Sequence, residues 1–370
     1  MKKILIIKND KIGDFMLAWP SIAMIKKSIP SVHVTIVVTK YTKDLAILCP
    51  WIDDIILDPI RNGRKRIRKK PTMDNISNIC FTMEDIIKRQ KGLVEIIKNK
   101  HFDVAINLSP TIYNALLIRR ADIKYRIAPI SNFRFLKMFY TDYVEQRRDS
   151  AIKPVYQYNL DIIRMLLRKI NVCPVQYKAP YLRFDDSLLK KQKRKLVQIL
   201  DLRTDLPWVM IHVGTDNAEN MSIKNYAKLL QGIEKESQIV ITAGSNDKDK
   251  AGQLYELVKR KGKDVSVYSE NEGLIDFARS IACSHLFISG STGPFHIAAA
   301  IDIPTICFSP ITSRAAPVKW TCLNSKDRNL TFYFCHEEKS KKLQINTNHI
   351  EIDAVLQKVN PWLHRYLKSA

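Results

Sequence analysis

Residues 4–7, Ile-Leu-Ile-Ile, form an unbroken apolar run that the polar stretch Lys8-Asn9-Asp10-Lys11 closes at once. A short run of this kind, bounded by charge, predicts a strand buried on both faces of a parallel sheet. After Ile12-Gly13-Asp14 the apolar positions recur at helical spacing over 15–27, and Pro30 ends that helix. Strands follow at 34–38 and, more briefly, at 54–57. The pattern then predicts an amphipathic helix over 84–98, a strand over 104–108, a helix over 114–120, a short strand over 125–127 and a helix over 156–169.

Pro174 and Pro180 lie in an extended polar segment suited to an interdomain connection, and 188–200 is a lysine-rich helix. The rhythm then restarts. Strands are predicted at 208–212, 238–242, 264–268, 285–288 and 304–308, with helices at 223–234, 250–261 and 274–282 and another from 297 onward. Residues 354–366 are mostly helical, with a break or kink expected at Pro361. Strand and helix alternating twice over predicts an α/β chain of two doubly wound domains, with the boundary near 175–190.

In such sheets the functional loops leave the carboxyl ends of the strands. The loop holding Asp10 and Asp14 is the first. In the second half three loops, 214–220, 243–247 and 290–296, each carry glycine with Ser, Thr or Asn, and should converge at one sheet edge. The last of them, Gly290-Ser291-Thr292-Gly293-Pro294-Phe295-His296, sits where a buried strand becomes a packed helix. Helix N-terminal amides have no intrahelical partner, and the helix dipole makes that end weakly positive, so a phosphate can lie there. Glycine admits close approach of the backbone, and Ser291 or Thr292 can either cap the helix or donate to the anion. Neither a GxxxxGK[ST] loop nor a GxGxxG fingerprint occurs, which argues against a P-loop enzyme and a nicotinamide or flavin enzyme.

Composition narrows this picture. The 370 residues, 46% hydrophobic, suffice for two ordinary domains. Seven scattered cysteines without CxxC spacing suit neither a disulfide framework nor a zinc site and fit a reducing cytosol. The net charge of +23 predicts an anionic partner, and seven of the ten residues 61–70 are basic, Arg61 and Arg64 among them. That run reads either as a solvated loop or as a contact for anionic lipid or acceptor phosphate. No nucleic-acid motif with interleaved aromatics emerges, so no specific nucleic-acid partner is expected. No apolar run is long enough to span a membrane, and four apolar residues before Lys8 are too few for a signal peptide.

Lys8-Asn9-Asp10-Lys11-Ile12-Gly13-Asp14, with Trp19-Pro20 after it, resembles the N-terminal signature of glycosyltransferase family nine, the bacterial lipopolysaccharide heptosyltransferases and their relatives. Ser291-Thr292-Gly293-Pro294-Phe295-His296 with Ile297-Ala298-Ala299-Ala300 resembles the family's C-terminal motif, and Phe308-Ser309-Pro310-Ile311-Thr312 its following turn. The resemblance runs from the first strand to about residue 320.

It implies a GT-B fold, two Rossmann-like domains facing across a cleft: an acceptor-binding domain over 1–180, a nucleotide-sugar-binding domain over 181–350, and a C-terminal helix over 351–370 that could pack back on the first. It implies inverting transfer of a sugar, typically heptose from an ADP-heptose donor, to a lipopolysaccharide core acceptor, with no cofactor and no metal. Asp14 matches the catalytic aspartate, the base on the acceptor hydroxyl; helix capping is its bland alternative.

Thr215, Gly244, Glu272, Ser291, Thr292, Gly293, Pro294 and His296 are the expected donor-binding residues. Asp10, Lys11, Arg61, Arg64, Lys224 and Arg314 are weaker candidates for acceptor or phosphate contact. Two positions depart from the pattern. Glu219 falls where many members carry a phosphate-reaching lysine, and Ser291 where heptosyltransferases often have Asp. The expected setting is the inner face of the inner membrane, held peripherally by anionic lipid. The rival readings are an inactive nucleotide-sugar-binding relative, a sugar-nucleotide epimerase, and charge-driven binding of nucleic acid.

Overall fold

The computed structural model describes residues 1–59, 84–131, 134–147, 152–214, 220–311, 318–335 and 350–367. The chain divides into two units, Met1–Tyr177 and Lys178–Ala370.

The first unit is built on strands β1 (Lys3–Ile7), β2 (His33–Thr39), β3 (Asp54–Asp58), β4 (Val104–Asn107), β5 (Tyr125–Ile130) and β6 (Asp142–Glu145). They lie in the order β3-β2-β1-β4-β5-β6, all parallel. The second unit repeats this plan with β7 (Trp208–His212), β8 (Gln238–Thr242), β9 (Val265–Tyr268), β10 (Leu286–Gly290), β11 (Thr305–Ile311) and β12 (Asn329–Cys335). Their order is β12-β11-β10-β7-β8-β9, again all parallel. Each sheet therefore reverses its winding beside its first strand, between β1 and β4 and between β7 and β10. Ligands of doubly wound sheets bind at such switch points, outside the carboxyl ends of the strands.

The strands form where the apolar runs are. Every residue of β4, β7, β8 and β10 is buried, as expected of strands covered on both faces. Leu5, Ile7, Val37 and Ala105 pack with Leu93, Ile97, Leu117 and Ile118 in one core of the first unit. In the second, Val209, Ile211, Ile239, Ile288 and Ile306 pack with Tyr226, Leu230 and Leu254.

Besides the short helix Lys43–Leu48, the 3-10 helix Arg134–Phe139 and β12, which the sequence expectation lacks, three elements differ from it. The helix read over 15–27 is two helices, α1 (Ile12–Met16) and α2 (Trp19–Ser28). Pro20 is the reason: it has no N–H to give to Met16, so the chain turns at Leu17 and Ala18 and restarts with Pro20 in the first turn of α2. The C-terminal helix Ile352–Leu363 continues through Pro361 instead of breaking there. Ile352, Val355, Val359, Trp362 and Leu363 of that helix join the core of the second unit. Finally, β6 was not read as a strand at all. It is a four-residue edge strand, Asp-Tyr-Val-Glu, whose alternately exposed side chains carry little apolar signal.

Among the described residues no helix is long and apolar enough to cross a membrane, and no group of three or more His, Cys, Asp or Glu could hold a metal ion. Cys49, Cys173, Cys283, Cys307 and Cys322 are free thiols.

Candidate active site

In the first unit the chain leaves β1 through Lys8, Asn9 and Asp10. Lys8 and Asn9 are almost fully buried, which their polarity permits only with partners. The Lys8 ammonium lies 2.9 Å from Asp10 Oδ2, and Ser109, just beyond β4, donates its hydroxyl to the same oxygen. Asn9 Nδ2 donates to Asp58 at the end of β3 (2.8 Å) and to Asn114 Oδ1 (2.9 Å), and Asn114 returns a bond to Asn9 Oδ1 (2.9 Å). Tyr113 donates its hydroxyl to the other Asp58 oxygen at 2.9 Å.

The ends of β1, β3 and β4 are thus laced together under the loop that carries the proposed base. Asp10, expected only as a weak acceptor contact, is an anchor within this lacing. Lys11 is exposed and is the N-cap of α1, with no side-chain capping bond. Asp14 is half-buried in the first turn of α1, which begins at Ile12 and not at Phe15. It therefore lies inside the helix rather than at its cap.

In the second unit the turn after β10 leads into α11 (Gly293–Ile301), with Thr292 as N-cap and Pro294 in the first turn. Thr292 is extended (φ −126°, ψ 175°), yet its side chain makes no capping bond. Its Oγ1 is buried and, among the described residues, has no hydrogen-bond partner. One turn on, His296 is 2% exposed, and its Nδ1 is likewise buried without a partner among the described residues. Burial pushes the His296 pKa down to about 4, so its imidazole is neutral at physiological pH. Its ring lies against Phe295 (5.1 Å between centroids) and Trp320 (6.3 Å). Buried polar atoms are almost always satisfied. Two orphans stand on the first turn of one helix, beside amides that also lack intrahelical partners, an arrangement able to receive an acceptor-rich group.

The 214–220 loop approaches the other two loops, one at each of its ends. A Cβ on Gly290 would stand 2.7 Å from Asn220 Oδ1, the residue that closes the 214–220 loop. Asn220 is itself fixed by the Tyr226 hydroxyl (2.6 Å) and the Met221 amide (2.9 Å). A Cβ on Gly214 would stand 2.8 Å from His212 Nε2, 3.1 Å from Asp247 Oδ2 and 3.4 Å from the Gly244 amide. Glycine at 214 and 290 is therefore a requirement of close approach. His212 is tied to Thr242 Oγ1 (2.9 Å), and Asp247 is buried with Lys250 at 2.7 Å.

His212 and Asp247 were within reach of the sequence, in the strand and loop already singled out. What gives them weight is their approach to Gly214, which only the pairing of β7 with β8 produces.

The remaining expectations divide. Glu272 is largely exposed and pairs with Lys195 at 2.9 Å, beside a buried cluster on Asp276. Burial alone would raise the Asp276 pKa, but bonds from Lys195, Tyr268 and Gln192 outweigh it and hold the carboxyl below its usual range. Lys224 is exposed in the first turn of the helix Ile223–Gly232. Thr215, Glu219, Arg61, Arg64 and Arg314 lie outside the described residues, as does the whole basic run 61–70.

With this geometry in place, the comparisons agree with one another. Residues 91–349 match the family described as glycosyltransferase family 9 (heptosyltransferase). A Haemophilus influenzae protein named as a candidate glycosyltransferase is 36% identical over 373 residues, spanning 100% of this chain and 99% of its own. The solved family 9 glycosyl transferase of Veillonella parvula superposes with a TM-score of 0.76 at 15% identity, covering 98% of each chain. E. coli ADP-heptose lps heptosyltransferase II gives a TM-score of 0.72 at 16% identity, covering 99% of each. Two parallel six-stranded sheets in this order, and these likenesses, are those of the GT-B fold. The chain belongs to glycosyltransferase family 9, the heptosyltransferase family, and is a glycosyltransferase.

Proposed function

We propose that the protein is an inverting, metal-independent transferase that moves a heptose from ADP-heptose to a lipopolysaccharide core or related glycan, working as a peripheral protein on the cytoplasmic face of the inner membrane. The observation that carries this reading is the pair of buried, unpartnered atoms, Thr292 Oγ1 and His296 Nδ1, at the start of α11. A diphosphate seated there accepts from the Thr292 hydroxyl, from Nδ1–H of the neutral His296 and from the amides of the Gly293 turn. These donors are in place before reaction, so they stabilise the negative charge that develops on the departing nucleotide without reorganising. Asp247, buried beside Gly214, offers a carboxylate to a ribose hydroxyl.

In this reading Asp14 accepts the proton of the acceptor hydroxyl as that oxygen attacks the anomeric carbon. The nucleoside diphosphate leaves from the opposite face, which inverts the configuration. Lys8, Asp10 and Ser109 hold the loop that leads into α1, the helix that carries Asp14. The donor comes from the likeness to a heptosyltransferase that uses ADP-heptose, and the orphan donors at α11 are the feature of this chain that suits its diphosphate.

The test is calorimetry with ADP, UDP and GDP, followed by transfer from ADP-heptose to a purified lipopolysaccharide core in the presence of EDTA. ADP binding together with EDTA-resistant transfer and an inverted product is the expected result. Binding of ADP without any turnover would overturn the transferase assignment and leave a binding protein.

A further inference from the structure

Between β5 and β6 the chain forms a single 3-10 helix, Arg134–Phe139, of sequence Arg-Phe-Leu-Lys-Met-Phe. Its inward side is accounted for: Leu136 and Tyr140 are buried in the first core, and Phe139 packs against it. Its outward side is not polar. Phe135 is 53% exposed and Met138 is 74% exposed. Three residues per turn place these two on one face of a 3-10 helix. Tyr143, on the adjoining edge strand β6, is 41% exposed and lies beneath the Lys137 ammonium at 4.5 Å from the ring centre. Isolated exposed apolar side chains need no explanation, but three within nine residues form a patch.

The charge around the patch is positive on balance. Lys137 binds Glu145 at 2.6 Å, and Arg134 and Arg147 act on the same carboxylate, so three cations surround one anion. The other carboxylate of β6, Asp142, is taken by Lys169 at 2.5 Å. β5 runs parallel to β4, and β4 to β1, so the chain enters the 3-10 helix from the sheet edge at which the Asp14 loop leaves β1.

We propose that Phe135, Met138 and Tyr143, framed by Arg134, Lys137 and Arg147, form the surface by which the first unit docks on an anionic lipid bilayer. Aromatic and apolar side chains at headgroup depth, with basic residues at their margin, are the chemistry of interfacial attachment. Each cation near an anionic surface strengthens that attachment until salt screens it. The inference rests on the reading of a lipid-linked acceptor, which is what such docking would serve. Its test uses no sugar chemistry, so either can fail alone.

The test is co-sedimentation of the full chain with vesicles of phosphatidylglycerol and phosphatidylethanolamine, against vesicles of phosphatidylcholine. Wild type is expected to bind the anionic vesicles and to lose that binding in high salt. Phe135→Ser with Met138→Ser should weaken it at least tenfold, while the melting temperature and ADP affinity stay at their wild-type values. Arg134→Gln with Arg147→Gln should weaken it several-fold at low salt.

Wild-type binding that is absent, or equal on both lipids, overturns the proposal, as does a Phe135/Met138 variant that binds like wild type. A variant that changes the sedimentation coefficient but not vesicle binding assigns the face to a second copy of the chain, and also overturns it. Vesicle binding without transfer to a soluble, delipidated acceptor would instead tell against the transferase reading.

Discussion

Thr292→Val separates a structural hydroxyl from a ligand-binding one. Thr292 occupies the N-cap of α11, where exchanging a threonine for an apolar residue ordinarily costs about 1 kcal/mol through the lost capping bond. Here no such bond exists, so that cost does not arise. The backbone at 292 is extended, which suits a β-branched residue, and valine matches threonine closely in shape. What valine removes is a buried hydroxyl without a partner, a group whose desolvation costs about 1–3 kcal/mol.

The ligand-free variant should therefore be more stable than wild type by about 1–2 kcal/mol at the low end of that range, raising the melting temperature by about 2–4 °C per kcal/mol for a unit of this size. ADP binding should move the other way. A hydrogen bond to a charged group is worth about 1.5–3 kcal/mol, so the dissociation constant should rise roughly ten- to hundredfold. Thr292→Ser, which keeps the hydroxyl, should leave affinity near wild type. Thermal unfolding without nucleotide and calorimetry with ADP measure the two effects. A variant that is less stable and binds ADP as tightly as wild type would refute the assignment of the Thr292 hydroxyl to the phosphate.

Three further outcomes are expected. The His296 pKa lies at about 4 in the folded protein against about 6.5 unfolded, so the unfolded chain takes up the proton first as pH falls. Its contribution is complete above about pH 6.5 and is lost toward pH 4; between pH 7.5 and 5 it should cost about 2 kcal/mol, measured by urea denaturation, and equal slopes in wild type and His296→Gln would contradict this. Asp14→Ala should abolish transfer while leaving ADP affinity nearly intact, and unchanged release of ADP from the donor in that variant would remove Asp14 as the base. Gly214→Ala forces a Cβ to 2.8 Å from His212 Nε2, so donor affinity and stability should both fall, the latter by about 1–3 kcal/mol; a variant with wild-type melting and affinity would show that the loops do not need this approach.

The strand framework was legible because burial on both faces writes itself as apolar runs, and β1, β4, β7, β8 and β10 are such runs. The strand-to-helix turn at Ser291 and Thr292 was legible as a turn, because glycine and small hydroxyl residues there follow an apolar run, and the structure has it between β10 and the helix Gly293–Ile301. Less legible were features set by a single missing atom or by pairing at a distance. The break between α1 and α2 turns on one absent N–H, that of Pro20. β6 carries too few apolar residues to announce an edge strand. The approach of His212 and Asp247 to Gly214 depends on which strands become neighbours, which no local pattern encodes. Nor could the sequence tell that Thr292 caps nothing, for a threonine before a helix reads as a cap by default.

The two sheet edges are finished in opposite ways, and the difference bears on which group belongs to a ligand. At the edge of the first unit the buried polar side chains answer one another: Asn9 with Asp58 and Asn114, Tyr113 with Asp58, Lys8 with Asp10 and Asp10 with Ser109. Such a closed network fixes the loop without help from substrate, as a base that must meet an acceptor hydroxyl in one geometry requires. At the edge of the second unit Thr292 and His296 are left unanswered among the described residues, at a cost of about 1–3 kcal/mol each. The native fold can carry that cost only within its small margin of stability. A group that spends its life without a partner lowers stability for nothing, whereas one that gains a phosphate oxygen on each turnover recovers the cost when the donor binds. In the proposed reading the first edge is a rigid mount and the second an open socket, and it is the socket whose stability should respond to nucleotide.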